Sequence, residues 1–358
     1  MKAWQLHGLG GRLEFNDVAV PAPAAGGVVV RMQASSLMSY MKDYAGGKLP
    51  IYHAPDGAFI PGGNGVGVIH AVGAGVWHLK PGQRVVISSH FVATENVREP
   101  AEILLGITAH GDAAQRVQAD WRDGTLAEYA MVPAAAVTPA DGLDAFDATK
   151  LALTTRYVVP YGGLLRGRLA AGETVVVSGA TGAYGSAAVF VALAMGAARV
   201  IAVGRNRDAL DALAAAGGSR VACVVSSGDV RADAEALRVA ANGGADLAFD
   251  MIGNARDPSL TLAALHSLAR GGRLVLMGSM SVPLPLPYLD VMLHGWEILG
   301  QFMYPRDAYR RLFDLVRTRQ LDVDAIEPHA FPLAALPAAM DAAASAGSLQ
   351  CIVMQHED

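Results

Sequence analysis

The chain has 358 residues, 52% of them hydrophobic and 17% charged, and a formal net charge of −5. That length exceeds what one hydrophobic core usually fills, so two domains are expected, and the composition excludes a disordered chain. Scattered Lys and Arg with a net negative charge exclude a protein that coats nucleic acid. No charge-free apolar run of membrane-spanning length occurs, and the opening MKAWQLHGLGGRLEF has no secretory-type apolar stretch. A compact cytoplasmic enzyme with a small-molecule substrate and no membrane partner is therefore expected.

Up to about Pro139 the text is short β-like runs broken by Gly and Pro: GGVVVRMQASS, GVGVIHAVGAGV, QRVVISS and AEYAMVP. This part reads as mostly antiparallel β. Residues 92–121 are the least regular and suggest a surface loop carrying a short helix. Further on, strands alternate with Ala/Leu-rich helical stretches, as βαβ units of a doubly wound parallel sheet do. The strands are TVVVSGA, RVIAVGR, RVACVVS, LAFDMIG and RLVLMGS, with helices over 184–195, 208–216, 233–241 and 260–269. The proline-rich SVPLPLPYLD closes that run, a helix follows over 307–319, and the ending LQCIVMQ is again β-like. The expected organisation is a first domain over 1–140, the parallel-sheet domain over 141–294, and a return to the first domain over 295–358.

The two cysteines, Cys223 and Cys351, lie far apart in apolar runs and read as buried free thiols. The histidines, among them His53, His70, His78, His90 and His110, are dispersed without ligand-like spacing.

The strongest local signal is the strand Val175-Val176-Val177-Ser178 running into Gly179-Ala180-Thr181-Gly182-Ala183-Tyr184-Gly185 and then a small-residue helix. The first glycine permits a tight turn, the second lets a pyrophosphate approach the backbone, and the third lets helix and strand pack closely. A glycine triplet alone could be a structural turn. Here a strand precedes it, a helix follows, and a second strand ends about twenty residues later, which is dinucleotide-fold spacing. That second strand ends Val203-Gly204-Arg205-Asn206-Arg207. The Asp or Glu that would bind free ribose hydroxyls is absent, Gly204 leaves room, and Arg205 and Arg207 can donate to a 2′-phosphate, so NADP(H) is the expected cofactor. The alternative is that both arginines merely solvate a loop.

Taken together, PGGNGVGVI (61–69), VGAGV (72–76), KPGQRV (80–85), DGTLAEY (123–129) and GGRLV (271–275) make the chain resemble the medium-chain dehydrogenase/reductase superfamily, specifically its zinc-free quinone oxidoreductase and enoyl-reductase-like branch. The resemblance spans nearly the whole chain and implies a GroES-like catalytic domain, a Rossmann domain, an oxidoreductase activity and pairing into a homodimer. In zinc-dependent members Cys, His-Glu and Cys bind the metal. The matching places here hold Met38, Gly63-Asn64 and about Thr155, so no metal is expected.

Without a Lewis acid, hydride transfer is easier to a conjugated acceptor, which spreads the developing charge, than to a simple ketone. A quinone or α,β-unsaturated carbonyl is the expected substrate, with a zinc-free alcohol or carbonyl dehydrogenase and a non-catalytic NADPH-binding sensor as alternatives. Ser39 to Tyr44 falls where the superfamily lines its substrate site. Tyr40 and Tyr44 are candidate proton donors and Lys42 a candidate oxyanion partner, although tyrosines also fill half-buried turns. Met38 and Met41 stand where quinone oxidoreductases carry polar residues. Asn64 replaces an acidic residue and can orient a loop but cannot act as a base. Tyr157 and Tyr161 either reach the cofactor or pack in the core. By the resemblance, Gly278, Ser279 and Met280, together with Ile252 after the strand LAFD, run beside the nicotinamide.

Overall fold

The computed structural model describes residues 1–356, which form two compact units. The first comprises residues 1–155, 327–346 and 350–356; the second comprises 156–326 and 347–349. Among the described residues no helix is long and apolar enough to cross a membrane.

The first unit is built on the strand Gly27–Ser36, which pairs antiparallel with Gly65–Val72, Tyr129–Pro133 and Gln350–Gln355. Both faces of this central strand are covered, with Val28, Val29 and Val30 fully shielded, which suits an unbroken β-branched run. The strand Glu327–Pro332 adds parallel to Gln350–Gln355, and the helix Leu336–Ser345 makes the crossover that a parallel pair needs.

Residues 92–121, expected as a loop with one helix, are more ordered than that reading. The strands His90–Val92, Glu102–Leu104 and Thr108–Ala109 form a small sheet followed by the helix Asp112–Asp120. Phe91, Ile103, Leu105, Ala109 and Ala114 join the main core of the unit, and Trp121 packs edge-on against Phe91. Strands of two or three residues are too short to show a readable alternation.

The second unit is a six-stranded parallel sheet. Numbered by their order in the chain, Thr174–Ser178, Arg199–Gly204, Val221–Val225, Ala245–Asp250, Leu268–Leu276 and Glu297–Gly300 are arranged 3-2-1-4-5-6. That is the doubly wound Rossmann order. The helix Ala183–Ala194 is buried at every position from Gly185 on, which explains why it is apolar all round. Asn206 and Asp229 accept hydrogen bonds at the starts of the next two helices, Arg207–Gly217 and Val230–Ala240.

Three boundaries differ from the sequence reading. Residues 141–155 belong to the first unit, and residues 295–326, expected there, belong to the second. Glu297–Gly300 supplies the sixth strand, and the helix Ala308–Arg317 buries Ala308, Tyr309, Leu312, Phe313 and Val316. The helix expected to reach 269 stops at His266, where the Ser267 hydroxyl donates to Ala264 O and Leu268 begins the next strand. The proline-rich stretch leads into the unforeseen short helix Tyr288–His294.

At the end of the strand Gln350–Gln355, the His356 amide donates to Gln33 O (3.0 Å) and its ring lies 3.4 Å from the Ser35 hydroxyl. The residue is 5% exposed, and burial lowers its pKa from 6.5 to about 4. The folded state thus prefers the neutral ring, and as pH falls below 6.5 the unfolded chain takes up the proton first. Stability should be complete above that pH and decline down to about 4, by about 3 kcal/mol. Urea denaturation as a function of pH checks this: His356→Gln should flatten the slope in that window, and a wild-type slope in the variant would assign the effect to another group.

Candidate functional site

The order of the parallel strands brings the carboxyl ends of Thr174–Ser178 and Ala245–Asp250 side by side, and open α/β sheets bind ligands at such a switch point. The chain leaves the first of these strands through Gly179, whose φ of +70° is left-handed. Gly185 packs so tightly behind the turn that a Cβ there would lie 2.0 Å from Gly179 O. Gly182 caps the helix Ala183–Ala194 without any side-chain hydrogen bond. Thr181, Ala183 and Tyr184 are half-buried around this amide end, which has the form and polarity of a pyrophosphate cradle.

The facing wall is also main chain. A Cβ on Gly179 would meet Ile252 Cα at 3.1 Å, and one on Gly278 would meet Ile252 O at 2.4 Å. Ser279 N donates to Ile252 O (2.9 Å), Asn254 N donates to the Ser279 hydroxyl oxygen (3.1 Å), and Gly253–Ala255 pairs with Ser279–Met280. Beneath them Asp250, which is 3% exposed, accepts from Ile252 N (3.1 Å) and the Thr261 hydroxyl (3.0 Å). Burial raises its pKa. Sequence reasoning overlooked Asp250; its signal is a lone carboxyl inside the apolar run LAFDMIG.

At the end of Arg199–Gly204 the geometry corrects one expectation. Gly204 does not leave open room, because a Cβ there would lie 2.8 Å from Thr181 Cγ2 and could be placed only if that side chain turned away. The Asn206 side chain accepts from Ala209 N (3.1 Å) and is occupied as a helix cap. Arg205 and Arg207 are exposed. Arg205 lies near enough to Asp257 for its charge to contribute, after hydrogen bonds from Ser259, to the lowered pKa of that carboxyl.

In the first unit the candidate polar residues separate by environment. Tyr44 is fully buried, its hydroxyl donates to Ile107 O (2.7 Å), and burial raises its pKa, so it is a core phenol and not an available acid. The Lys42 ammonium is paired with Asp341 (2.5 Å) on the helix Leu336–Ser345, which engages the charge expected to meet an oxyanion. The Asn64 side-chain oxygen accepts from Ser36 N (3.0 Å) and the Ser36 hydroxyl (2.9 Å), and its amide group donates to Ser36 O (3.1 Å). Asn64 is thus tied by its side chain to Ser36, the last residue of the strand Gly27–Ser36. Tyr40 alone of these candidates is a half-buried phenol, beside Tyr52 at 6.0 Å between ring centroids. In the second unit Tyr157 and Tyr161 are core residues, with an Arg311 guanidinium over the Tyr161 ring.

The positions that carry zinc ligands in the metal-dependent branch do not fit a metal. Met38 and Thr155 are poor ligands, and Gly63 is packed so that a Cβ would lie 2.6 Å from Leu105 O and 3.0 Å from Ser89 Cβ. No imidazole fits there without displacing main chain. Among the described residues no three His, Cys, Asp or Glu side chains are grouped as metal ligands.

A glycine cradle on a Rossmann sheet in one unit and an antiparallel β unit in the same chain define the class of nicotinamide-dependent dehydrogenases and reductases. Residues 24–142 match the alcohol dehydrogenase GroES-like domain family, and residues 183–318 match the zinc-binding dehydrogenase family. An alcohol dehydrogenase from Moraxella sp. (strain TAE123) is 32% identical over 318 residues, 88% of each chain. An L-threonine 3-dehydrogenase from Anaeromyxobacter dehalogenans (strain 2CP-C) is 28% identical over 89% of this chain and 88% of its own. Among solved structures, the alcohol dehydrogenase from Thermus sp. ATN1 matches over 100% of both chains with a TM-score of 0.82 at 21% identity, a likeness of fold. The chain belongs to the medium-chain dehydrogenase/reductase superfamily, as an oxidoreductase of the alcohol dehydrogenase type.

Proposed function

We propose that this oxidoreductase works without zinc, uses NADP(H), and reduces a quinone or an α,β-unsaturated carbonyl. The observation that carries the reading is the packing of Gly63 against Leu105 together with the closed Asn64–Ser36 clamp, where a metal-dependent relative needs its ligands. Gly179, Thr181, Gly182, Ala183, Tyr184 and Gly185 would hold the diphosphate. Arg205 and Arg207 would hold the 2′-phosphate, on a loop shaped by Gly204 and Asn206, and Ile252, Gly278, Ser279 and Met280 would flank the nicotinamide. When bound, that ring supplies a hydride. Tyr40 then donates the proton that completes reduction, and conjugation in the substrate does part of the charge stabilisation a metal would otherwise do.

A second reading, a zinc-free alcohol or carbonyl dehydrogenase, is favoured by the alcohol dehydrogenase relative at 32% identity. The two separate in one assay. NADPH oxidation, followed by its absorbance, should proceed with a panel of quinones and enones and be indifferent to chelators. Chelator-resistant oxidation of alcohols with no turnover of quinones or enones would instead establish the second reading, and chelator-sensitive alcohol oxidation with stoichiometric zinc in the protein would overturn both.

The cofactor assignment has its own test. Arg205→Asp should weaken NADPH binding about 10- to 100-fold relative to NADH, by removing a charge-assisted partner and adding a repulsive carboxylate. An unchanged preference for NADPH would leave both arginines as solvated loop residues.

Pairing into a homodimer is part of the same reading. Tyr288, Leu289, Met292 and Leu293 on the helix Tyr288–His294 are all more than half exposed, and Glu297–Gly300 is an edge strand. An apolar face next to an open edge is a surface that self-association would cover. Light scattering should give twice the chain mass for wild type and one chain mass for Met292→Asp; a monomeric wild type would reject the pairing.

A further inference from the structure

One buried carboxyl of the second unit has more partners than its own helix requires. Asp233 is 3% exposed on the helix Val230–Ala240, whose start is already capped by Asp229 accepting from Ala232 N (2.8 Å). The Asp233 carboxyl turns instead to the loop that leaves the strand Val221–Val225. It accepts from the Ser226 hydroxyl (2.6 Å), Ser227 N (2.8 Å), the Ser227 hydroxyl (2.7 Å) and Gly228 N (3.2 Å). Burial pushes its pKa up, but these bonds outweigh that and hold it below the usual carboxylate value, so the group is charged. The same loop reaches the neighbouring strand: Ser226 N donates to the carbonyl oxygen of Gly204 (2.9 Å), the last residue of Arg199–Gly204. Within the strand itself, the Cys223 thiol donates to Leu210 O (3.2 Å) on the helix that Arg207 begins. The strand end before Arg205 and the helix after it are thus both fastened to Val221–Val225 and its loop.

We infer that Asp233 is a positioning residue for a 2′-phosphate subsite: it draws the Ser226–Gly228 turn together, keeps the Ser226 amide on Gly204 O, and so fixes the strand end that carries Arg205 and Arg207. The inference rests on the reading of those arginines as the phosphate partners. Both are exposed, so each attraction is screened and depends on how well the backbone places the charge. A long side chain gives up rotamer freedom when it engages an anion, and a backbone that wanders adds to that loss. Hydrogen bonds from three consecutive residues to one carboxylate are charge-assisted and stiffen the turn more than neutral bonds would. The ligand class is a dinucleotide bearing a 2′-phosphomonoester. One with a free 2′-hydroxyl makes no ion pair with the arginines and gains little from their placement.

Asp233→Asn keeps the shape of the side chain and leaves the Asp229 cap in place, but it turns one acceptor oxygen into a donor that opposes Ser227 N or Gly228 N. Calorimetric titration of the full chain with NADPH and with NADH reads the effect. Kd for NADPH should rise about tenfold in Asp233→Asn, while Kd for NADH changes by less than about twofold. Ser226→Ala deletes one hydroxyl and leaves the main-chain bond to Gly204. It should shift the ratio of the two constants about threefold in the same direction, and it decides the question alone if Asp233→Asn does not fold. A ratio at its wild-type value, including an equal weakening of both cofactors, overturns the positioning role and leaves Asp233 as a fastener of its loop. Arg205→Asp with an unchanged preference for NADPH overturns the phosphate reading beneath it instead.

Discussion

Gly179, Ile252 and Gly278 approach one another so closely that a β-carbon on Gly278 would collide with Ile252 O and one on Gly179 would crowd Ile252 Cα, and the dinucleotide-binding unit is organised around that approach. Such a contact survives only if the strands delivering it cannot shift. They are the first, fourth and fifth of the sheet, with Val176, Val177, Ala248, Phe249, Leu274 and Val275 fully buried. Asp250 adds a polar anchor under the same point, binding Ile252 N and Thr261 from a site where its own charge is disfavoured. A buried carboxyl of this kind is tolerated when it satisfies donors that would otherwise be orphaned, and here it fixes the residue that both glycines touch. The amide end of the helix Ala183–Ala194 inherits its position from that rigidity.

In the first unit, packing occupies the place that coordination would need. Gly63 leaves no space for a side chain, the Asn64 amide is bonded to Ser36, and the Thr125 hydroxyl donates to Asn64 O (2.7 Å). These contacts support one another: opening the Asn64 clamp to admit a ligand would strand the Ser36 amide, and placing a side chain at 63 would displace Leu105, which is itself in the core. Tyr44 is likewise engaged in the core by Ile107 O and Lys42 at the surface by Asp341, and Tyr40 is the half-buried phenol on which the proposed chemistry draws.

The sequence was legible where a rule is local. The glycine turn, the alternation of strands and helices after it, and the antiparallel first unit are set by periodicity and by backbone positions that glycine alone can occupy, and they stand in the structure as read. It was not legible where the deciding contact is distant. Whether Tyr44 is an acid or a core residue depends on Ile107, the state of Lys42 depends on Asp341, and the room at Gly204 depends on Thr181. Strand Glu297–Gly300 was missed because four residues at a sheet edge give no periodic signal, although they decide that residues 295–326 stay with the Rossmann unit.

At the end of Arg199–Gly204, the space at Gly204 is shared with the Thr181 side chain, so the proposed NADP(H) preference depends on charge more than on room. Arg205 and Arg207 are exposed, so each attraction is screened by water and salt, and part of the Arg205 field falls on Asp257. Two weakened cations are a modest source of preference. The larger effect is the missing carboxylate at the strand end: an acid there would both bind the free ribose hydroxyls and repel a dianionic 2′-phosphate, so its replacement by Gly204-Arg205 removes a penalty as well as adding donors. Under the proposed NADP(H) preference, discrimination built mainly by removing repulsion would leave room for NADH to bind and would make the strand end, more than the arginine count, the place where that preference is set.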